Sequence, residues 1–314
     1  MRLEFWLIIG LLAACDSGEK PTVGLGERAS ISRESAEGFR LLQQGRPGEA
    51  LALLQRAAEK DSASMEVHYN MGVAHTHLKE YAKAIAAFGR AVKLAPENPG
   101  AHFALGIALG VEHRQRDAAE HFEKAAALAP DRAEYHFRLG EARQALGEVE
   151  EALAAFAAAI RVDSTHVDAH FLRAGLLASS NRPEEAEQGY RRAIELDSRR
   201  ADILWELGQV YMQQCQYPQA AEVLRSAPEL EPRNTHALYL LSQVYLLSGQ
   251  PDERAEVLSI FQRLSAAQRH FKQGALYAER GAIDEARKAL KEALVLDPDH
   301  AKAQKKLEQL DKER

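Results

Sequence analysis

MEVHYNMGVAHTHLKEYAKAIAAFGRAVKLAPEN (residues 65–98) runs directly into PGAHFALGIALGVEHRQRDAAEHFEKAAALAPDR (residues 99–132), and the two stretches set like residues at like places. Each is 34 residues long. Working outward, the same register recurs six times from 31 to 234, once in damaged form over 235–266 and once in good form over 267–300. A small residue stands at repeat position 8 (Gly38, Gly72, Gly106, Gly140, Ala174, Gly208, Ser242, Gly274), and alanine at position 20 from Ala50 to Ala220 and again at Ala286. Position 24 is large: Leu54, Phe88, Phe122, Phe156, Tyr190, Leu224, Leu258, Leu290. Small residues at 8 and 20 let two helices approach closely, and the side chain at 24 fills the gap beside them. Each unit therefore reads as a helical hairpin. Gly45, Gly147, Gly249 and Gly281 fall at position 15, where the chain must reverse and a residue tolerating positive φ is useful; Pro47, Pro183 and Pro251 follow two residues later, suited to opening the second helix.

The repeat length and the order of Gly, Ala, large residue, Ala57-type alanine and closing proline (Pro96, Pro130, Pro232, Pro298) resemble the tetratricopeptide family over residues 31–300. The resemblance implies an all-α solenoid, a right-handed superhelix of antiparallel helix pairs. Its eight repeats would be 31–64, 65–98, 99–132, 133–166, 167–200, 201–234, a degenerate 235–266, and 267–300. Residues 301–314 carry Ala303, Leu307 and Leu310 on one stripe and charges elsewhere, which suits a capping helix. A seam is expected between Ala227 and Ala267. Pro228 should truncate the second helix of repeat six, repeat seven is two residues short, and Arg254 and Phe261 replace close-contact alanines. A change of pitch or a hinge is the expected result there.

Net charge −6 and a pI near 6.1 leave no positive excess to displace counterions from a phosphate backbone, so nucleic acid is excluded as a partner. Two cysteines, Cys15 and Cys215, cannot build a disulfide framework within the repeats, and Cys215 lacks any neighbouring signature that would activate a thiol.

Met1 and Arg2 precede an apolar run from Phe5 to Ala14, too short for a spanning helix and right for the core of an export signal. The run ends in Leu12-Ala13-Ala14-Cys15, which resembles the lipobox of bacterial lipoprotein precursors. That resemblance implies cleavage of residues 1–14 and acylation of Cys15, several acyl chains giving stable anchoring where one would be marginal. Residues 16–30, with Gly18, Pro21, Gly24 and Gly26, read as a flexible tether. The protein is thus expected in the cell envelope, held to a membrane and facing the periplasm or the exterior.

In tetratricopeptide arrays the first helix of each hairpin lines an inner groove, through positions 2, 5, 9, 12 and 13. Carried over residue by residue, position 5 gives Tyr69, Phe103, Phe137, Phe171, Trp205, Tyr239 and Phe271, an aromatic ladder in a chain only 7% aromatic. Stiff rings lose little rotamer entropy and offer large contact area, so the ladder suits capture of a peptide, although tyrosine at this position also packs between hairpins. Position 9 departs from the lysine and asparagine pattern of carboxylate-binding members: Val73 and Ile107 make the front apolar, while Glu141, Gln209 and Gln243 make the later part polar. These twelve residues form the expected partner-binding set.

His68, His102, His136, His170 and His270 share position 4. Stacked hairpins lie about 10 Å apart, whereas one metal ion needs its nitrogens about 2 Å away, so these histidines read as packed and satisfied rather than as ligands. No metal or other cofactor is expected. Once signal, tether, repeats and cap are subtracted nothing remains for a catalytic domain, and no phosphate-binding loop, nucleophile elbow or zinc-type histidine pair occurs. The reading is a non-catalytic, membrane-anchored scaffold for protein partners in the envelope. The alternative is an envelope carrier or assembly factor whose groove takes a polymer such as glycan.

Overall fold

The computed structural model describes residues 28–230 and 234–312, and among these it contains sixteen α-helices and no strand. In chain order they are α1 (Arg28–Gln43), α2 (Pro47–Lys60), α3 (Met65–His77), α4 (Tyr81–Leu94), α5 (Pro99–Val111), α6 (Gln115–Leu128), α7 (Ala133–Ala145) and α8 (Val149–Val162). They continue as α9 (Val167–Ser179), α10 (Pro183–Leu196), α11 (Ala201–Gln213), α12 (Tyr217–Leu230), α13 (Thr235–Leu247), α14 (Pro251–Glu279), α15 (Ile283–Leu296) and α16 (Ala301–Lys312). Two compact units divide the chain inside α9, one ending at Arg173 and one beginning at Ala174. Within each, consecutive helices pack as antiparallel pairs and each pair stacks on the next. The expected all-α solenoid of tetratricopeptide-type hairpins is the fold. Residues 1–14 and Cys15 lie outside the described residues.

The hairpin geometry follows from the register. A Cβ added at Gly72, Gly106 or Gly140 would stand 2.5, 2.7 or 2.6 Å from the ring of Phe88, Phe122 or Phe156, so each position-24 ring lies directly on the bare backbone of position 8. Position 20 is sealed: Ala50, Ala84, Ala118, Ala152, Ala186, Ala220 and Ala286 are fully buried. The turn between the two helices is the same in all eight hairpins. Position 15 has φ between 56° and 76° not only at Gly45, Gly147, Gly249 and Gly281 but also at Lys79, His113, Asn181 and Cys215. Position 16 then donates its N–H back to the carbonyl of position 11, as in Arg46 to Leu41, Glu80 to His75 and Ala282 to Tyr277, closing a Schellman turn. Reading only the glycines identifies half of these turns, because the hydrogen bonding of the motif holds side chains in the left-handed region at a cost of about 1–2 kcal/mol each.

Several helices that open a repeat begin with side-chain caps, although those beginning at Ala133 and Ala201 do not. Ser64, Asn98 and Asn234 accept from the backbone N–H of Val67, Ala101 and Ala237. His166 and His300 do the same with Nδ1, each 3.2 Å from the N–H of Ala169 or Ala303.

The seam differs from expectation. Pro228 does not truncate its helix: α12 reaches Leu230 and is 14 residues long, the length of its counterparts. A proline so near the end removes only one late hydrogen bond, which a final turn can spare. The irregularity is α14, a single helix of 29 residues that joins the second helix of repeat seven to the first of repeat eight. Elsewhere these two elements are parted by a turn such as Ala95-Pro96-Glu97-Asn98. Here the two-residue deficit leaves only Ser265 and Ala266 between them, with no proline and with alanine at the place where Ser64, Asn98 and Asn234 cap, so the helical hydrogen bonding continues through. No helix among the described residues, α14 included, is long and apolar enough to cross a membrane.

Candidate functional site: the face of the first helices

The position-4 histidines share one partner. His68, His102, His136 and His170 place Nε2 at 3.0, 2.9, 3.0 and 3.2 Å from the carbonyl six residues earlier, at Ser62, Pro96, Pro130 and Ser164. Each ring donates to the turn that precedes its own repeat and pins it to the helix. Gln304, at the same place in the capping helix, bonds the Pro298 carbonyl at 2.7 Å. His270 has no such turn before it, because α14 runs through, and its Nδ1 lies instead 3.1 Å from Glu292. The histidines are satisfied, as expected, but by turns rather than by a core: of these five only His102 is buried. No group of three or more His, Cys, Asp or Glu among the described residues is placed to hold a metal ion.

His102 has a second contact, its Nδ1 lying 3.0 Å from Nδ1 of His121. The Pro96 carbonyl can only accept, so His102 carries a proton on Nε2, and one of the two facing Nδ1 atoms donates to the other. Burial, then the charges of His102 and Lys124, push His121 down to about 4, against a smaller opposing pull from Asp117. The folded value lies below the unfolded one. Stability from this pair is therefore full above about pH 6.5 and is lost as pH falls toward 4, because the unfolded chain takes up a proton that the folded ring refuses. Since the ring is half exposed, solvent screening reduces the effect to on the order of 1 kcal/mol. Urea unfolding at pH 7 and pH 4.5 should show that loss in the wild type and a smaller one in His121→Leu; equal losses would remove His121 from the account.

The position-5 ladder divides. Tyr69, Phe103 and Phe137 are only 5%, 2% and 6% exposed. Each meets the position-24 ring of its own hairpin, at centroid distances of 5.5, 5.7 and 5.8 Å to Phe88, Phe122 and Phe156. Tyr135 covers Phe103 from the next repeat at 4.5 Å, and His166 covers Phe137 at 4.6 Å. All three rings are packed against the position-24 ring of their own hairpin, and Phe103 also against the next repeat, so their burial differs from the expectation that they line an open groove. Val73 is buried with them, and Ile107 reaches only a cavity described below. Phe171, Trp205 and Phe271 are half-buried, His236 and His300 lying 5.1 and 4.9 Å from the last two. Tyr239 is the exception at 45% exposed. Glu141, Gln209 and Gln243 are half-buried at the surface.

The polar centre of the first unit is Arg138. Its Nε donates to Glu134 and its Nη1 to Glu141, both at 2.7 Å, and the guanidinium lies 5.5 Å from the centroid of the Phe137 ring. Burial works against its charge, but Glu141 and Glu134 outweigh it and raise the arginine pKa. Glu141 is pushed up by burial despite Arg138. On His166 burial works downward, yet Glu134, 3.8 Å away, with Asp168 and Asp163, holds the ring above its ordinary value. Beside this network a cavity of about 210 Å³ opens between α5 and α7, walled by Ile107, Gly110, Val111, Phe122, Ala142 and Ala145. A separate cavity of about 430 Å³ in the second unit is lined by Leu264, Phe271, Lys272, His300 and Lys302. Position 6 supplied both Arg138 and Lys272, and a scan restricted to positions 5 and 9 misses them.

Paired helices repeating every 34 residues, with extended exposed faces and no catalytic constellation among the described residues, define the architecture of a repeat scaffold. The chain belongs to the tetratricopeptide repeat family: profiles of that family match residues 36–99, 103–161, 138–202 and 205–268, and further ones 177–232 and 267–300. No curated protein matches the sequence. Among solved structures it is similar to YrrB, described as a TPR protein with an unusual peptide-binding site, at 22% identity and TM-score 0.54, covering 59% of this chain and 96% of that one. MamA from Desulfovibrio magneticus RS-1 gives 24% identity and TM-score 0.52 over 56% and 99%. PilF of Pseudomonas aeruginosa gives 17% and 0.52 over 65% and 92%. At these identities the likeness is one of fold.

Proposed function

We propose that this chain is a non-catalytic scaffold, lipid-anchored through Cys15 in a bacterial cell envelope, that binds a protein or peptide partner on the faces of its first helices. The observation that supports the peptide reading is the cavity between α5 and α7: it is apolar inside and ringed by ionised side chains, the composition that holds one side chain and orients the segment carrying it. The peptide-binding site described for YrrB supports the same class of ligand. With Tyr69, Phe103 and Phe137 engaged in packing, the contact residues are assigned unit by unit: Glu141, with Ile107 reached through the cavity, in the first, and Trp205, Gln209, Tyr239 and Gln243 in the second. The exposed ring of Tyr239 is the one feature that favours the polymer-carrier reading, since aromatic faces also stack on sugars.

Two measurements separate these readings. Intact mass of the membrane-extracted protein should equal residues 15–314 plus acyl chains, and Cys15→Ser should release the protein from the membrane fraction; an unmodified Cys15 refutes the anchor. Crosslinked capture from envelope extract should yield a protein partner whose recovery survives glycan-degrading enzymes, and recovery abolished by those enzymes would favour the carrier.

A further inference from the structure

The geometry points to the α5–α7 cavity as an anchor pocket for one apolar side chain, leucine- to phenyl-sized, on a peptide segment that carries lysine or arginine beside it. This rests on the scaffold reading above and names the chemistry of its partner. The volume is sufficient: about 210 Å³ is open here, whereas an apolar cavity of about 150 Å³ holds benzene.

Gly110 shows that the space is kept open. At Gly72, Gly106 and Gly140 the glycine is required, because a Cβ would collide with a ring. At Gly110 a Cβ would come no nearer than 3.9 Å to Gln115 Oε1 and 4.0 Å to Ala118 Cβ. Packing does not require glycine there, and in a helical segment it is less favourable than alanine. What its bare backbone provides is room at the mouth of the pocket, the Gln115 side chain being drawn aside to the Gly110 carbonyl at 3.2 Å.

The charge of the rim selects the neighbour. Arg138 is held on both sides by Glu134 and Glu141, so its guanidinium is committed, and with Glu134 shared with His166 the carboxylate on the cavity wall is Glu141. Asp168 is close enough to act on Glu141. A basic segment is attracted there, and an acidic one is repelled, more strongly than at an open surface because the site is partly desolvated.

The test uses the full chain, observed by amide NMR, and short glycine–serine peptides bearing one leucine flanked by lysines. This peptide should shift the amides of Gly110, Ala142 and Ala145 saturably. Leucine→serine in the peptide should weaken binding about tenfold or more, and lysine→glutamate should abolish it. Gly110→Leu should fill the pocket and abolish binding while the melting curve stays the same or rises. Glu141→Gln, which keeps the shape, should weaken the lysine peptide severalfold and leave a lysine-free leucine peptide unaffected. No shifts with any peptide, equal binding of the serine or glutamate peptide, or undiminished binding to both variants would overturn the pocket; so would self-association lost in Gly110→Leu, which would give the site to a second copy. An envelope partner recovered equally by wild type and Gly110→Leu would sink this inference and leave the scaffold standing. Failure to recover any partner while the peptide still binds would sink the scaffold reading alone.

Discussion

Phe156→Ala should lower the stability of the first unit by about 3–5 kcal/mol, the range for emptying a buried aromatic site. Phe156 is fully buried and fills the gap between the two helices of its hairpin, touching Phe137 on one side and lying on Gly140 on the other. Collapse cannot recover much of the volume, since Ala152 and Ala159 already hold the helices at close contact. The sharper form of the prediction is a coupling. In the wild type Gly140→Ala should cost about 1–3 kcal/mol, because its Cβ would stand 2.6 Å from the ring. In the Phe156→Ala background the same change should be neutral or stabilising, the collision being gone and the helix preferring alanine by about 1 kcal/mol. Urea denaturation of the four proteins measures the cycle. Additive costs would mean that positions 8 and 24 do not pack as a pair, and the hairpin geometry argued from them would fail.

Ser265→Pro should cost about 3 kcal/mol, whereas Ser198→Pro should be neutral or stabilising by less than about 1 kcal/mol. Both substitutions follow the logic of the repeat, in which Pro96, Pro130, Pro232 and Pro298 occupy the turn between hairpins. Ser198 sits at that place, exposed, in a turn of the usual kind. Ser265 lies where the turn should be but is in the middle of α14, so proline there removes an interior hydrogen bond and forces its ring against the preceding carbonyl. Thermal melts of the two variants decide it. Equal tolerance would show that α14 breaks near Ser265 and that repeats seven and eight are hinged after all.

The hairpins, their register and their close contacts were legible in the sequence because each depends on residue size at a fixed spacing. Gly140 against Phe156 needs no coordinates to be foreseen. Two things were not legible. The buried side of the position-5 ladder depends on which ring arrives to cover it, Tyr135 of the next repeat for Phe103 and His166 at the end of its own repeat for Phe137, and those partners stand at different repeat positions. The continuity of α14 was hidden because a missing turn leaves no residue to notice; the two-residue deficit signalled an irregularity but Pro228, the conspicuous residue nearby, drew the reading to the wrong helix. The Arg138 network shows the same limit, since its members occupy positions 2, 6 and 9 of one repeat and none is remarkable alone.

The unbroken course of α14 also changes what the chain can tolerate in length. Where a turn separates two hairpins, an added residue can loop outward and leave the following layer where it was. Inside a continuous helix each residue advances the azimuth by about 100°, so one insertion near Ser265 would swing the later part of α14, with the α15 and α16 residues packed on its Phe271, Tyr277 and Ala278, around the axis relative to the part that carries Leu264. The last hairpin is phased by counting, and natural variation in that stretch should come only in steps that restore whole turns.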